Sequence, residues 1–152
     1  MTRRYTIADS LSSDKENLTV DFDWSLVIAT GRLNDTDIEL PLRHKPAKTL
    51  DRLSFQIAVI NDLNNDRLRD KYQFIDGDRI KTYHTQKVGT ETLRIKSKNY
   101  ETIKLKHQRP GSSRANYVWH APNLNYLPVR IEQTKRGKVE SRADLTKYSF
   151  YQ

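Results

Sequence analysis

The chain has 152 residues, 27 basic and 19 acidic side chains, a net charge of +8, and no cysteine. The length suits a single domain, residues 1–152, with a hydrophobic core of its own. The lack of cysteine excludes disulfides, thiolate nucleophiles and thiolate metal sites. No run approaches the roughly 18 apolar residues of a membrane span, and Met1–Asp9 has no apolar segment typical of a signal peptide.

Apolar and polar residues alternate over the first part of the chain, which predicts strands. Asn17–Trp24 places Leu18, Val20, Phe22 and Trp24 on one face. Ser25–Leu33 continues as a more uniformly apolar strand, and Asp37–Leu42 follows as a short one.

One segment, about residues 49–64, has the spacing of an amphipathic helix instead. Thr49 is a candidate N-cap, and Leu53, Ile57 and Ile60 follow at intervals of three and four residues. We therefore expect Leu53, Ile57 and Ile60 to be buried against a sheet.

Further strands occupy most of the remaining chain. They are predicted over Lys71–Ile75, Arg79–Gln86, Glu91–Ser97, Glu101–His107, Asn116–Trp119, Val129–Thr134 and Val139–Tyr148. Short connections require antiparallel neighbours. The fold class expected is mainly β: a curved antiparallel sheet or incomplete β-barrel, with the helix across its concave face.

The most distinctive stretch is Trp119–Glu132, W-H-A-P-N-L-N-Y-L-P-V-R-I-E. A strand ends at Ala121-Pro122, asparagines supply turn chemistry, and a new strand starts at Leu127-Pro128. The stretch resembles the hallmark near the C-terminus of the domain of unknown function 3108 family, proteobacterial envelope proteins without an assigned activity. Gly89–Leu93 and the Phe22-Asp23-Trp24 segment are also similar to the family's pattern.

The resemblance implies a β-rich periplasmic or envelope protein that is normally made with a signal peptide. Family members usually have extra strands before the point where this chain begins, so we expect those strands to be lacking here. A sheet edge would then be exposed and would favour self-association or pairing with an envelope protein. The family supplies no catalytic residues.

No arrangement of side chains predicts an enzyme, a metal site or a cofactor. The histidines His44, His84, His107 and His120 have no metal-ligand spacing, and each lies in a different predicted element. Asp62–Gln73 resembles the start of a calcium loop but has neither its glycine nor its bidentate glutamate. We expect a non-catalytic protein without cofactors.

The predicted hairpin 93–107 has the strongest concentration of positive charge. Keeping Ile95 and Ile103 on one face places Arg94 opposite Lys104, given an odd-length loop around Lys98–Tyr100. The basic residues would form an anion or partner surface on the other face: Arg94, Lys96, Lys98, Lys104 and Lys106. The alternative function is therefore a nucleic-acid or polyanion-binding module.

The leading hypothesis is a periplasmic domain that binds an apolar or amphipathic small molecule, or an envelope protein. The ligand would occupy a cleft between helix and sheet, and nucleic acid is not the partner expected. The predicted lining residues are Trp24, Leu53, Ile57, Tyr117, Trp119 and Tyr126. Aromatic residues of this kind more often form the core than a ligand platform.

Overall fold

The computed structural model describes residues 4–8, 17–23, 25–26, 28–41, 49–50, 52–76 and 79–149. Within these residues the chain is mainly β, with two sheets and one α-helix, so the predicted fold class is confirmed. The placement of the helix across a concave sheet face stays a prediction. The elements are β1 (Arg4–Ala8), β2 (Asn17–Asp23), β3 (Ile28–Leu33), β4 (Thr36–Pro41), β5 (Thr49–Leu50), α1 (Arg52–Asn64), β6 (Lys71–Asp76), β7 (Arg79–Ile95), β8 (Lys98–Gln108), β9 (Arg114–Ala121), β10 (Leu127–Lys135) and β11 (Lys138–Asp144).

Strands β1 to β4 form one sheet in chain order, and the order in the second is β11-β10-β9-β8-β7-β6-β5. The described pairings are antiparallel apart from the two-residue parallel contact between β5 and β6. Short hairpin connections explain this arrangement, because they can join only antiparallel neighbours. By its contacts the chain divides into two compact units, Met1–Ile57 with Tyr72–Thr82, and Ala58–Lys71 with Tyr83–Gln152. The expectation of a single domain stays a prediction.

The first unit has a hydrophobic cluster built on the inward residues of β2. Leu18, Val20 and Phe22 alternate along that strand, as predicted, and pack with Ala29 and Ile75. Gly31 lies opposite Val20, where a Cβ would stand 2.0 Å from the carbonyl oxygen of Thr19. Only glycine therefore fits this close approach of β2 and β3.

The helix begins at Arg52 rather than Thr49, and its buried face differs from the predicted one. Ile57 is 58% exposed, whereas Phe55, Val59 and Leu63 are buried. Apolar residues occur on nearly every side of this helix, so spacing alone allowed two stripes. The buried stripe is the one that contains Phe55, whose ring stacks on Phe74 with centroids 5.3 Å apart. The predicted burial of Ile57 is wrong, and the side chain of Leu53 lies outside the described residues.

The second unit contains most of the seven-stranded sheet and a second cluster. Its buried members are Leu93, Ile95, Tyr100, Trp119, Ala121, Leu124 and Val129. Strand β9 ends at Ala121 and β10 begins at Leu127, as predicted, with a single 3₁₀ turn Pro122–Leu124 between them. Asn125 follows this turn at φ +52°, a left-handed conformation that asparagine tolerates.

Candidate functional site

The β7–β8 hairpin closes through a two-residue turn, Lys96-Ser97, with Ile95 opposite Lys98. Arg94 consequently lies opposite Asn99, and Lys104 lies opposite Gly89. The predicted pairing of Arg94 with Lys104 is wrong. An even-length turn replaces the expected odd-length loop, and a one-residue change in register moves each side chain of one strand to the opposite face relative to the other.

The sheet formed by β7 to β10 therefore has two faces with different chemistry. Cross-strand partners share a face, and residues two apart along a strand do so as well. The face that we name the aromatic face contains Ile95, Lys98, Tyr100, Lys104, Lys106, Tyr117, Trp119 and Arg130. The opposite face, named the histidine face, contains Arg94, Ile103, Leu105, His107, Val118 and His120.

The five basic residues predicted to form one surface are thus divided. Lys98, Lys104 and Lys106 lie on the aromatic face, Arg94 lies on the histidine face, and Lys96 occupies the turn at φ +54°. Ile95 and Ile103 also lie on opposite faces. The continuous basic surface that the sequence predicted along this hairpin is therefore not formed.

Lys104 is held in an aromatic and acidic environment. Its Nζ lies 4.5 Å from the ring centroid of Trp119, 5.1 Å from that of Tyr117 and 3.5 Å from Oε1 of Glu91. The indole Nε1 of Trp119 donates a hydrogen bond of 2.7 Å to the same carboxylate oxygen. This bond, together with the charge of Lys104, lowers the pKa of Glu91 below its ordinary value. The charge of Lys104 is therefore already compensated by Glu91, and Lys104 is a poor candidate for binding an external anion.

The charge of Arg130 is compensated in the same way, by Asp144. Its guanidinium lies 6.0 Å from the centroid of Trp119 and donates two hydrogen bonds to Asp144, at 2.6 and 3.0 Å. The hydrogen bonds from Arg130 lower the pKa of Asp144. On the neighbouring row, Arg142 donates to Glu132. The middle of the aromatic face is an internally paired network.

The predicted cleft residues differ in their environments where the structure describes them, and the cleft itself stays a prediction. Trp119 is buried in the second cluster, and Tyr117 is half-buried against it. Tyr126 is half-buried at φ +58°, and its carbonyl accepts a hydrogen bond from Nδ1 of His120. Ile57 is exposed, and Trp24 lies outside the described residues.

A cavity of about 340 Å³ lies at the turn of the β7–β8 hairpin, and we name it the tip pocket. Ile95, Tyr100 and Leu145 form its apolar floor, and all three belong to or pack against the second cluster. The chain leaves β11 after Asp144, and the amide of Leu145 donates to the carbonyl of Val129. This bond directs residues 145–148 over the hairpin, where they form the second wall of the pocket.

Three lysines, Lys96, Lys98 and Lys147, line the tip pocket without a carboxylate among its described lining residues. None of the three forms an ion pair with another described residue. The structure therefore brings two of the predicted basic residues together and adds Lys147. Lys147 was not among the predicted residues, because the sequence predicted a last strand that continues to Tyr148, whereas β11 ends at Asp144.

The histidine face has two buried titratable groups that sequence analysis did not pair. His107 and His120 are 1% and 0% exposed, and Nδ1 of His107 lies 2.8 Å from Oγ1 of Thr85. Burial lowers the pKa of His120 to about 4, and burial together with the charge of His120 lowers that of His107 to about 3. Each histidine lies two residues after an apolar residue of the same strand, so the alternation of the sequence already indicated that it faces the interior. Among the described residues no three histidine or acidic side chains are grouped so as to hold a metal ion.

A comparison with known families matches residues 2–144 to the family described as "Protein of unknown function (DUF3108)". The chain belongs to this family. The match confirms the resemblance inferred from Trp119–Glu132, and the family's description assigns it no function. No curated protein and no solved structure matches the chain. In the described part of this DUF3108 member, no helix has the length and apolar character needed to cross a membrane.

Proposed function

We propose that this chain is a non-catalytic binding protein of the periplasm whose ligand is an anionic amphiphile held in the tip pocket. The supporting observation is the joint presence of an apolar floor and three lysines without an acidic partner around one cavity. Its volume, about 340 Å³, is at the lower end of the roughly 300–1,000 Å³ typical of small-molecule sites. The periplasmic location rests on the resemblance to envelope proteins.

The two parts of the pocket have separate roles. Ile95, Tyr100 and Leu145 offer apolar surface that a hydrocarbon tail would remove from water. The three lysines would orient the negative headgroup at the mouth, since long charged side chains keep their ammonium groups in water. An amphiphile with a positive headgroup would face repulsion at the same position.

Isothermal titration calorimetry with two amphiphiles of opposite charge tests the proposal. We expect dodecanoate, below its micelle concentration, to bind, and dodecyltrimethylammonium to bind at least tenfold more weakly. Replacing Lys96, Lys98 and Lys147 by Gln should weaken dodecanoate binding about tenfold, as three exposed ionic contacts of about 0.2–1 kcal/mol each would predict.

The matched control replaces three other exposed lysines, Lys87, Lys135 and Lys138, by Gln. This triple variant has the same net charge but leaves the tip pocket intact. Equal binding of the two amphiphiles, or an equal loss of affinity in the two triple variants, would exclude the tip pocket as the site.

An envelope protein that pairs with β11 is the second candidate. All seven residues of β11 are exposed, and the strand is an edge of its sheet. However, charged side chains recur along β11, and a register irregularity interrupts its pairing with β10 between Gln133 and Thr134. Natural proteins use both features to discourage edge pairing. Self-association through this edge would appear as a concentration-dependent dimer in sedimentation analysis.

A further inference from the structure

A second cavity, of about 280 Å³, lies at the other end of the β7–β8 ladder, and we name it the base pocket. Its side chains come from the last paired residues of the β7–β8 ladder and from the turn that follows β8. They are His84, Gln86, Lys106, Gln108 and Arg109, with the turn residues 110–111. No carboxylate occurs among these described lining residues.

Strand pairing places four of these side chains on the same face. His84 lies opposite Gln108, and Gln86 lies opposite Lys106. All four therefore project from the aromatic face as two adjacent cross-strand pairs. Lys106 is six residues from Tyr100 of the tip pocket, or about 20 Å along an extended strand.

The turn that holds Arg109 is well defined. The amide of Ser112 donates to the carbonyl of Arg109 at 3.0 Å, with Pro110 and Gly111 between them. Gly111 has φ +72°, as the third residue of a type II turn requires, and proline restricts the φ of the second. Nε2 of Gln108 also donates to the carbonyl of Ser112 at 2.6 Å. The pocket is thus partly organised before any ligand arrives.

The two cations of the base pocket differ from those in the middle of the same face. Lys104 and Arg130 each have a carboxylate partner within 3.5 Å. Lys106 and Arg109 form no ion pair with another described residue. The fold leaves two positive charges at one cavity without compensation, and such an arrangement attracts an anion.

We propose that the base pocket binds a phosphate group. A guanidinium fork, an ammonium and the amide groups of two glutamines offer donors from several directions, which suits the several acceptor oxygens of phosphate. A carboxylate has only two oxygens in one plane and would use fewer of these donors. The site is separate from the tip pocket, so it does not depend on the amphiphile proposal.

An isosteric substitution that introduces a negative charge gives the sharpest test. Gln86→Glu keeps nearly the same side-chain volume but places a carboxylate among the donors. Because Gln86 is exposed, the substitution should not disturb folding. Binding of inorganic phosphate and of glycerol 3-phosphate would be followed by the NMR shifts of the Gly111 amide and the Gln108 side-chain amide. We expect Gln86→Glu to weaken both ligands at least tenfold. Gln133→Glu, at another exposed glutamine outside both pockets, should leave the affinity within twofold.

A second variant and two further probes complete the experiment. Arg109→Gln should also weaken binding at least tenfold, and acetate should bind at least tenfold more weakly than phosphate. Retention on phosphatidylglycerol vesicles but not on phosphatidylcholine vesicles, lost in Gln86→Glu and kept in Gln133→Glu, would identify a lipid headgroup as the source of the phosphate. Binding of glycerol 3-phosphate without vesicle retention would identify a soluble phosphoester. Phosphate binding that is absent, matched by acetate, or lost equally in Gln133→Glu would overturn the proposal.

Discussion

The aromatic and histidine faces of the β7–β10 sheet accommodate ionisable side chains in opposite ways. On the aromatic face, Lys104 and Arg130 lie beside Trp119, and each has a carboxylate partner. On the histidine face, His107 and His120 are fully enclosed, and burial lowers the pKa of both. Around Trp119 the aromatic face compensates charge, whereas the buried part of the histidine face excludes it.

This difference separates a surface suited to ligands from a surface suited to stability. Charges that are paired near water cost little and can be rearranged, and both pockets open on the aromatic face. A buried group must be neutral, because an uncompensated charge in the interior is expensive. The stability that the histidine face contributes should therefore depend on pH, whereas the stability that the aromatic face contributes should depend mainly on the packing of Trp119.

The largest effect that we predict is a loss of stability in mild acid. Both buried histidines have a folded-state pKa below the unfolded value of 6.5, at about 3 and about 4. As pH falls from 7 to 5, both histidines become protonated in the unfolded chain but stay largely neutral in the folded chain, so the free energy of unfolding should fall by about 4 kcal/mol. The contribution of the two neutral histidines to the free energy of unfolding is present in full above about pH 6.5 and is lost as pH falls. Urea denaturation at several pH values measures this slope.

Two single variants assign the slope to its source. His107→Gln and His120→Gln should each remove about half of the change in unfolding free energy between pH 7 and 5, whatever their effect on stability at neutral pH. Most carboxylates stay ionised over this interval and contribute little to the slope. An unfolding free energy that is constant from pH 7 to 5 would contradict the assignment of neutral, buried histidines.

The second prediction concerns Trp119, which is 3% exposed and connects the charges of the aromatic face. Trp119→Ala should lower the unfolding free energy by about 3–5 kcal/mol, as for other large aromatic truncations. The substitution also removes a hydrogen bond to Glu91, so the pKa of Glu91 should rise toward its ordinary value, which NMR titration can follow.

Ile57→Ala serves as the comparison for Trp119→Ala, because Ile57 is 58% exposed. The sequence predicted a core position there, with a cost of about 2–5 kcal/mol. The structure predicts a change of about 0.5 kcal/mol or less, as for other surface substitutions. A large loss at Ile57 together with a small loss at Trp119 would reverse this assignment of the core.

The sequence predicted the fold correctly where local chemistry fixes the backbone. Pro122 and Asn125 determine where β9 ends, and Leu127-Pro128 begins β10 as expected. The turn between β10 and β11 has Arg136 and Gly137 at φ +49° and +77°, and glycine in this region identifies a hairpin from composition alone.

Prediction failed where the decisive interaction is distant in sequence or has no typical residue. The β7–β8 turn uses Lys96 at φ +54°, an uncommon conformation for lysine, while Asn99 nearby offered a more typical turn residue. The tip pocket depends on Lys147, which is brought to Lys96 only by the path of the chain after β11. No periodicity in either segment could indicate that proximity.

The smallest predicted effect tests the corrected register directly, since it compares the two residues that the sequence had placed opposite each other. Lys104 contacts Trp119, Tyr117 and Glu91, whereas Arg94 is exposed on the opposite face. Lys104→Gln should cost about 1 kcal/mol, from two cation–π contacts and one partly exposed ion pair. Arg94→Gln should cost close to nothing and has the same change in charge. Urea denaturation of both variants measures the difference, and equal costs would indicate that the two side chains share one environment, as the discarded register required.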